Sequence, residues 1–265
     1  MSEPYEPDNL LDRHSDAATL QVHYDQEYRR ERALLERRLG LVRGEVLSVG
    51  CGWHPGRHLF PRPAWRMTGA DVNPAMVEHL LEAGELDAGV EGKAGSLPFE
   101  PRSFDVVLYR LVLHHIAFQG PLGPCFEEAA RLLRPGGALV AIEPGLWHPV
   151  GAGLELANRA GLGTRVHGTP DDVPLSPRVL LRDALAAGLE PELHAVTFGW
   201  RRLPPAAQRA LHHLDALGSR PRLAPFGHTL MLIAHSPPAA DSPSTTGSYW
   251  ARDERSGPGT SARIR

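Results

Sequence analysis

Three glycines within seven positions, and one carboxylate downstream of them, form the first candidate for chemistry in the chain. An apolar run ends at Val49, and Gly50, Gly52 and Gly56 follow it. Glycines directly after a buried strand allow a tight turn whose backbone comes close to a ligand. Asp71 ends the next apolar run, about 20 residues farther on, where a nucleotide-binding fold places a carboxylate for ribose hydroxyls. This spacing predicts a site for a nucleotide-like cofactor.

Histidines at predicted strand ends form the second candidate. His114 and His115 follow the buried strand that begins at Phe104, and His148 lies in the segment after the next strand. A histidine can be neutral near pH 7 and can accept the proton of a hydroxyl group. We therefore interpret these side chains as candidates for a general base, with a backbone-ordering role as the alternative for His115.

Apolar runs of strand length alternate along the chain with segments of helical periodicity, and these elements must position the candidates. The predicted strands end near residues 49, 70, 108, 142, 198 and 234. The predicted helices cover residues 24–39, 74–81, 122–133, 176–185 and 207–217, with a short helix between the first two strands. This order predicts an α/β fold with a doubly wound, mostly parallel sheet and helices on both faces.

The chain divides into one predicted domain and two extensions. Residues 1–23 are polar and loosely patterned, which predicts a mobile arm. Residues 237–265 have the Pro, Ser, Thr, Gly and charge content of a disordered tail. The domain between them covers residues 24–236, a usual size for a single core. Within it, residues 144–175 are rich in Gly, Pro, Trp and His, and we interpret them as a loop that covers a substrate.

The composition argues against some classes of binding partner and indicates the cellular compartment. A net charge of −3 over 265 residues gives no basic surface for nucleic acid or an anionic membrane. No apolar segment approaches the roughly 20 residues that span a bilayer, and no cationic start followed by an apolar run indicates a signal peptide. Cys51 and Cys125 are too few for a disulfide framework. We expect a cytoplasmic monomer or homodimer that acts on a small molecule.

The histidine pair before the second predicted strand is a candidate for a metal site. His54 and His58 are four residues apart and could share one face of a helix. Pro55 and Gly56 disfavour a regular helix between them, and no cluster of Cys or His partners follows. The sequence therefore predicts no metal site.

The order of the motifs resembles the class I S-adenosylmethionine-dependent methyltransferases, a family with a Rossmann-like fold. Residues 46–52 are similar to the first motif of the family, and further anchors follow at its spacings: residues 69–74, 97–99, 103–107, 112–115 and 132–137. The resemblance covers residues 24–236, and residues 228–235 resemble the antiparallel last strand of that fold. It implies a methyltransferase that uses S-adenosylmethionine and releases S-adenosylhomocysteine.

The resemblance also implies the cofactor contacts. The turn that contains Gly50, Cys51 and Gly52, with Gly56 behind it, would bind the methionine end through its amides and the following helix start. Asp71 would accept hydrogen bonds from both ribose hydroxyls. The implied adenine contacts lie after the second and third strands: Val72, Met76, Ala94, Gly95 and Leu97. Ordinary helix packing is an equal alternative for Met76.

Three features depart from the family pattern. Ser48 stands where relatives carry an acid that helps to hold the methionine amino group. Relatives also commonly carry an acid near Lys93, where the adenine amine is read, and His54 and Pro55 are inserted before the third glycine. Each hydrogen bond to a charged partner is worth about 1.5 to 3 kcal/mol, so these changes predict weaker or rearranged cofactor binding.

The turn after the fourth strand bears on the acceptor. Tyr109 and Arg110 lie where amine and nucleic-acid methyltransferases carry an Asn/Asp-Pro-Pro-Tyr/Phe run. The absence of that run argues against exocyclic base nitrogens as acceptors. Arg110 is a candidate for the cofactor site and for the anchor of an anionic substrate, with an internal ion pair as the equal alternative.

These features together predict methyl transfer to a hydroxyl of a sugar-type or natural-product metabolite of secondary metabolism. Positioning supplies most of the acceleration, and His114 or His148 would take the hydroxyl proton. Two alternatives remain open. One is a non-methylating member of the fold, either a partner subunit or an enzyme that uses the cofactor otherwise, which the changes at Ser48 and Lys93 motivate. The other is a NAD-dependent oxidoreductase, although the glycine spacing is one residue too long for that fingerprint.

Overall fold

Residues 17–162 and 173–238 are described by a computed structural model of the chain, and a seven-stranded sheet organises them. The strands are β1 Gly44–Val49, β2 Trp65–Asp71, β3 Ala88–Glu91, β4 Phe104–Arg110, β5 Leu133–Pro144, β6 Glu190–Thr197 and β7 Thr229–His235. Their order in the sheet is β3-β2-β1-β4-β5-β7-β6. Strands β1 to β5 pair in parallel, and β7 is antiparallel to both β5 and β6. The predicted sheet with an antiparallel last strand is confirmed.

Helices cover both faces of this sheet. They are α1 Ala17–Arg38, α2 Pro74–Glu82, α3 Leu113–Gln119, α4 Gly123–Leu132, α5 Pro149–Arg159, α6 Pro177–Ala186 and α7 Pro205–Leu214. Two short 3₁₀ turns follow at Asp215–Leu217 and Ala224–Phe226. Local sequence determines where α2 begins. The side chain of Asn73 accepts a hydrogen bond from the amide of Ala75, and Pro74 occupies the first turn.

Two hydrophobic cores lie on opposite faces of the sheet, because successive side chains of a strand point to opposite faces. On β1, Leu47 belongs to one core and Val46 to the other, and Val107 and Val106 of β4 repeat this alternation. The first core includes side chains of α4 and α6, and the second includes side chains of α1 and α2. Burial on both faces explains why the central strands are apolar runs rather than alternating patterns.

Helix α1 begins earlier than predicted. It includes residues 17–23, which the sequence prediction assigned to the mobile arm. Among the side chains that are described in its first half, the buried ones belong to His23 and Glu27. Apolar periodicity therefore does not reveal where the helix starts.

Two other segments also differ from the predicted elements. Part of the predicted irregular loop 144–175 is helix α5, which Pro149 and the side chain of His148 initiate. The short helix predicted between β1 and β2 is instead a series of turns. The rest of the predicted arm, residues 163–172 of the loop, and the tail from residue 239 lie outside the described residues. In the part of the chain that the structure describes, no helix is long and apolar enough to cross a membrane.

Candidate functional site

A cleft of about 650 Å³ lies at the carboxyl ends of the central parallel strands, where α/β sheets commonly bind ligands. Eight of the predicted cofactor residues line it: Gly50, Cys51, Gly52, Asp71, Val72, Ala94, Gly95 and Arg110. The wall also includes residues without a predicted cofactor contact, among them Trp53, His54, Lys93, Val112, His115 and Ile116. The structure therefore brings together most of the predicted cofactor residues.

The glycine turn in this cleft is held by its own hydrogen bonds. The amides of Gly50 and Cys51 both donate to the carbonyl of Ala70, at 2.7 and 3.4 Å. The amide of Gly52 donates to Oδ2 of Asp71 at 3.0 Å. The three amides that were predicted to bind the methionine end therefore already have partners. What the glycines provide is space and backbone freedom, since φ is +61° at Gly50 and +44° at Gly52.

Gly50→Ala is expected to lower the free energy of unfolding by about 2 kcal/mol or more, as measured by urea denaturation. A Cβ at Gly50 would lie 2.2 Å from Cγ2 of Val112, in addition to the strain of a positive φ. Gly52→Ala is the matched control, because its Cβ would have its nearest neighbour at 3.8 Å, and it should cost about 1 kcal/mol. Equal losses in the two variants, or no recovery when Val112→Ala is added to Gly50→Ala, would contradict the steric argument.

Three predicted cofactor residues do not line the cleft. Gly56 faces β4 instead, where a Cβ would lie 2.7 Å from Cδ2 of Leu108. Leu97 is buried in the first hydrophobic core, and Met76 is half-buried on α2 without belonging to either core. Ser48 is also buried and lies outside the cleft wall. These corrections have one cause: the family motifs include residues that pack the turn and the helices as well as residues that face the cleft.

Arg110 forms a buried ion pair with helix α1. Its Nη2 lies 3.2 Å from Oε1 of Glu31, its Nε lies 3.3 Å from Oε2, and its guanidinium lies 5.1 Å from the centre of the Tyr28 ring. Nε2 of His58 contacts the same carboxylate at 3.1 Å. Of the predicted alternatives for Arg110, the structure shows the internal ion pair. Arg110 therefore lines the cleft as part of a fixed network rather than as an anchor for an anionic substrate.

A second cavity of about 320 Å³ adjoins the cleft. Arg110, Leu111 and His115 line both spaces. The remaining wall comes from α1, α3, the end of β5, α5, residues 200–202 and residues 228–229. It includes His23, Tyr24, Glu27, Glu31, His114, Pro144, Val150, Leu154, Trp200, Arg201, Arg202, His228 and Thr229. The wall combines many polar and charged groups with a smaller set of apolar and aromatic ones, and a cavity of this size can hold a small molecule.

His114 lines the second cavity and forms a buried dyad with Glu143, which does not itself line that cavity. Nδ1 of His114 lies 2.6 Å from Oε2 of Glu143. Glu143 also accepts hydrogen bonds from the amides of Val112 and Leu113 at 3.0 and 2.8 Å, so it fixes both the start of α3 and the orientation of the imidazole. With a proton on Nδ1, the lone pair is on Nε2, which is the arrangement of a general base. The sequence prediction missed Glu143, although an acid directly after the buried run 138–142 is a signal that could have identified it.

His148 does not join this dyad. It is not among the residues that line the cleft or the second cavity. Its Nδ1 accepts a hydrogen bond from the amide of Val150 at 3.3 Å, which caps α5, and its ring packs edge-on against His228 at 5.1 Å. Burial lowers the pKa of His148. The structure thus corrects its predicted place in the acceptor site, since a nitrogen needed for the base is used by the cap.

The other histidines of interest lie at different places. His115 lies where the two spaces meet, with its ring centroid 4.1 Å from that of His114. His54 lines the cleft, whereas His58 contacts Glu31. Within residues 17–162 and 173–238, no group of three or more His, Cys, Asp or Glu side chains could hold a metal ion.

Known proteins resemble the part of the chain that forms the cleft. Residues 47–141 match the family model described as a methyltransferase domain. Demethylmenaquinone methyltransferase from Tropheryma whipplei is 35% identical over 109 residues, which are 40% of this chain and 44% of that protein. Ubiquinone biosynthesis O-methyltransferase from Xanthomonas euvesicatoria is 32% identical over 107 residues, which are 38% and 44% of the two chains. The chain matches less than half the length of these curated relatives.

A solved structure extends the likeness beyond the matched segment. A methyltransferase from Thermotoga maritima, described as S-adenosylmethionine-dependent, superimposes with a TM-score of 0.57 at 16% identity. The match covers 82% of this chain and 91% of that one. At this identity the likeness shows the shared fold, including the sheet that carries the cleft.

Proposed function

We propose that the chain is a class I S-adenosylmethionine-dependent methyltransferase that methylates a hydroxyl group of a small metabolite. The match of residues 47–141 to a methyltransferase domain supports this proposal. The observation that carries this proposal is the meeting of two cavities at Arg110, Leu111 and His115. The larger one contains the glycine turn and Asp71, which suit the cofactor. The smaller one contains the His114–Glu143 dyad, which suits an acceptor that must lose a proton.

The residues of the cleft fit the cofactor. Asp71 is partly exposed at the end of β2 and can accept hydrogen bonds from ribose hydroxyls while it holds the turn. Gly50 and Gly52 keep side chains out of the space above β1, and Ala94 and Gly95 form a wall for an adenine ring. When bound, S-adenosylmethionine supplies an activated methyl group on its sulfonium.

The residues of the second cavity then have two tasks. Nε2 of His114 would accept the hydroxyl proton as the acceptor oxygen attacks, and Glu143 would stabilise the resulting imidazolium. His115 would orient the acceptor toward the cleft, because it lines both spaces.

The size and walls of the second cavity define the acceptor class that we propose. A volume of about 320 Å³ suits a compact metabolite, such as a sugar-type or natural-product compound, rather than a polymer. Its apolar wall includes Leu111, Leu154 and Trp200, which can pack against a carbon skeleton. The relative named for O-methylation in ubiquinone biosynthesis supports oxygen as the methylated atom.

Ligand binding and turnover test this function together. We expect S-adenosylmethionine and S-adenosylhomocysteine to raise the melting temperature of the protein, and NAD to leave it unchanged. Hydroxylated small molecules should then release S-adenosylhomocysteine in a turnover assay. Stabilisation by NAD alone would favour an oxidoreductase. Cofactor binding without turnover on any hydroxylated compound would favour a non-methylating member of the fold.

Asp71→Ala is expected to weaken S-adenosylmethionine binding by about 2 kcal/mol or more in calorimetry, because two ribose hydroxyls lose a charged acceptor. Asp71→Asn retains one acceptor oxygen and should lose less. Glu91→Gln is the matched control, since Glu91 is an exposed acid at the end of β3 that does not line the cleft. An unchanged affinity of the Asp71→Ala variant would remove Asp71 from the cofactor site.

A further inference from the structure

One part of the second cavity contains polar side chains that have no role in the proposed methyl transfer. The hydroxyl of Thr229, on β7, donates a hydrogen bond to Oε1 of Glu27, on α1. Nε2 of His23, one turn earlier on α1, lies 3.8 Å from Oε2 of Glu27. All three residues are buried and line the cavity. We call them the α1–β7 subsite.

Glu27 differs from its neighbour Glu31 in how its charge is compensated. Glu31 is paired with Arg110 and His58. The ion pairs among the described residues give Glu27 one basic neighbour, His23. Burial, followed by the charge of His212, lowers the pKa of His23 to about 4, so that this neighbour is neutral at pH 7. Among the described residues, Glu27 therefore has no charged partner at ion-pair distance, although Arg110 and Arg201 are near enough to lower its pKa.

The pKa of Glu27 reflects this environment. Burial, followed by the charge of Glu31, raises it to about 7. The hydrogen bond from Thr229 and the charges of Arg110 and Arg201 act in the opposite direction but do not cancel the shift. At neutral pH the carboxyl is therefore partly protonated, and a cation beside it would favour the ionised form.

The imidazole of His23 is the third polar group of the subsite. His23 is 2% exposed, and its Nδ1 has no hydrogen-bond partner in the part of the chain that the structure describes. Nδ1 is enclosed by protein and does not face the cavity. The nitrogen that we assign to the subsite is therefore Nε2, which lies beside Glu27.

We propose that the α1–β7 subsite binds a protonated amine, so that the acceptor carries a basic nitrogen in addition to the hydroxyl that is methylated. An ammonium group has three hydrogen-bond donors and no acceptor. The carboxylate of Glu27, the hydroxyl oxygen of Thr229 and an imidazole nitrogen of His23 are acceptors that match it. The positive charge would also compensate a carboxylate that lies buried beside Glu31. The role of this amine in an acceptor rests on the proposed function, whereas amine binding itself does not.

The test compares three probes of similar size that differ in charge: cyclohexylamine, cyclohexanol and cyclohexanecarboxylate. Each is titrated into the full chain, and binding is followed by NMR chemical shifts. The amine should bind about tenfold more tightly than the alcohol, as is typical of a charge-assisted hydrogen bond. Glu27→Gln should abolish this preference. Glu36→Gln should retain it, because Glu36 is an exposed acid on the same helix.

Several results would overturn the subsite: equal binding of amine and alcohol, tightest binding of the carboxylate through Arg201 and Arg202, or no saturable binding of the amine. If Glu27→Gln does not fold, the wild-type protein provides the test, because amine affinity should rise as the pH increases through about 7 and Glu27 ionises. An affinity that does not change with pH in this range would also overturn it. Amine binding without methylation of any hydroxylated compound would uphold the subsite and refute the proposed function.

Discussion

Glu31→Gln is expected to lower the free energy of unfolding by about 3 kcal/mol or more, because it leaves the guanidinium of Arg110 buried without its carboxylate. The side chains of Glu31 and Arg110 are 1% and 5% exposed, so water cannot replace the missing partner. Urea denaturation of Glu31→Gln, Arg110→Met and the double variant gives the coupling between the two residues. We expect a coupling energy of about 2 kcal/mol or more, since the double variant removes both charges.

An exposed ion pair on the same helix provides the control for this cycle. Arg32 and Glu36 approach to 2.8 Å, but their side chains are 54% and 63% exposed. Exposed pairs of this spacing couple by about 0.3 to 0.5 kcal/mol. A coupling between Glu31 and Arg110 no larger than that of the control pair would show that the buried network does not fasten α1 to the sheet.

His114→Ala is expected to lower kcat by about 100-fold or more on a hydroxyl acceptor, because the proton would have no base to receive it. The wild-type kcat/KM should rise with pH on the acidic side and then level off, and this acidic limb should be absent from the variant. Initial rates across a pH series measure both effects. The direct hydrogen bond between His114 and Glu143 is the geometric reason for choosing this histidine.

His148→Ala is the matched control for that experiment, since it removes the other histidine that the sequence nominated as a base. Because His148 caps α5, its loss should cost about 1 kcal/mol of stability and change kcat much less than the loss of His114. Full activity in the His114→Ala variant, together with a large loss in the His148→Ala variant, would reverse the assignment. Loss of activity in His115→Ala alone would move the base to the junction of the two cavities.

The wall of the larger cleft was predictable from the sequence where it depends on local backbone requirements. Gly50 and Gly52 must adopt positive φ, and Asp71 must end a strand that is adjacent to theirs. Both requirements leave a signal within a few residues of sequence. The exceptions are positions such as Gly56, where the same residue type serves close packing against Leu108 instead.

The polar face of α1 was not predictable in the same way. The ion pair of Glu31 with Arg110 joins residues 79 positions apart, and the hydrogen bond of Glu27 with Thr229 joins residues 202 positions apart. Periodicity detects a helix face that is buried and apolar, but a charged residue on that face reads as solvent-exposed. The helix was therefore predicted from its apolar second half, and the contacts of its polar side chains with β4 and β7 were missed.

The division of α1 into a polar half and an apolar half has a consequence for access to the second cavity. Leu34 and Leu35 bury the second half in a hydrophobic core, whereas the buried residues described in the first half, His23 and Glu27, are polar. Segments with few buried apolar contacts open locally at lower free energy than the core elements. We therefore expect the first half of α1 to be the part of the wall that comes away first. An acceptor could then enter and leave from that side while the sheet and the cofactor cleft remain intact.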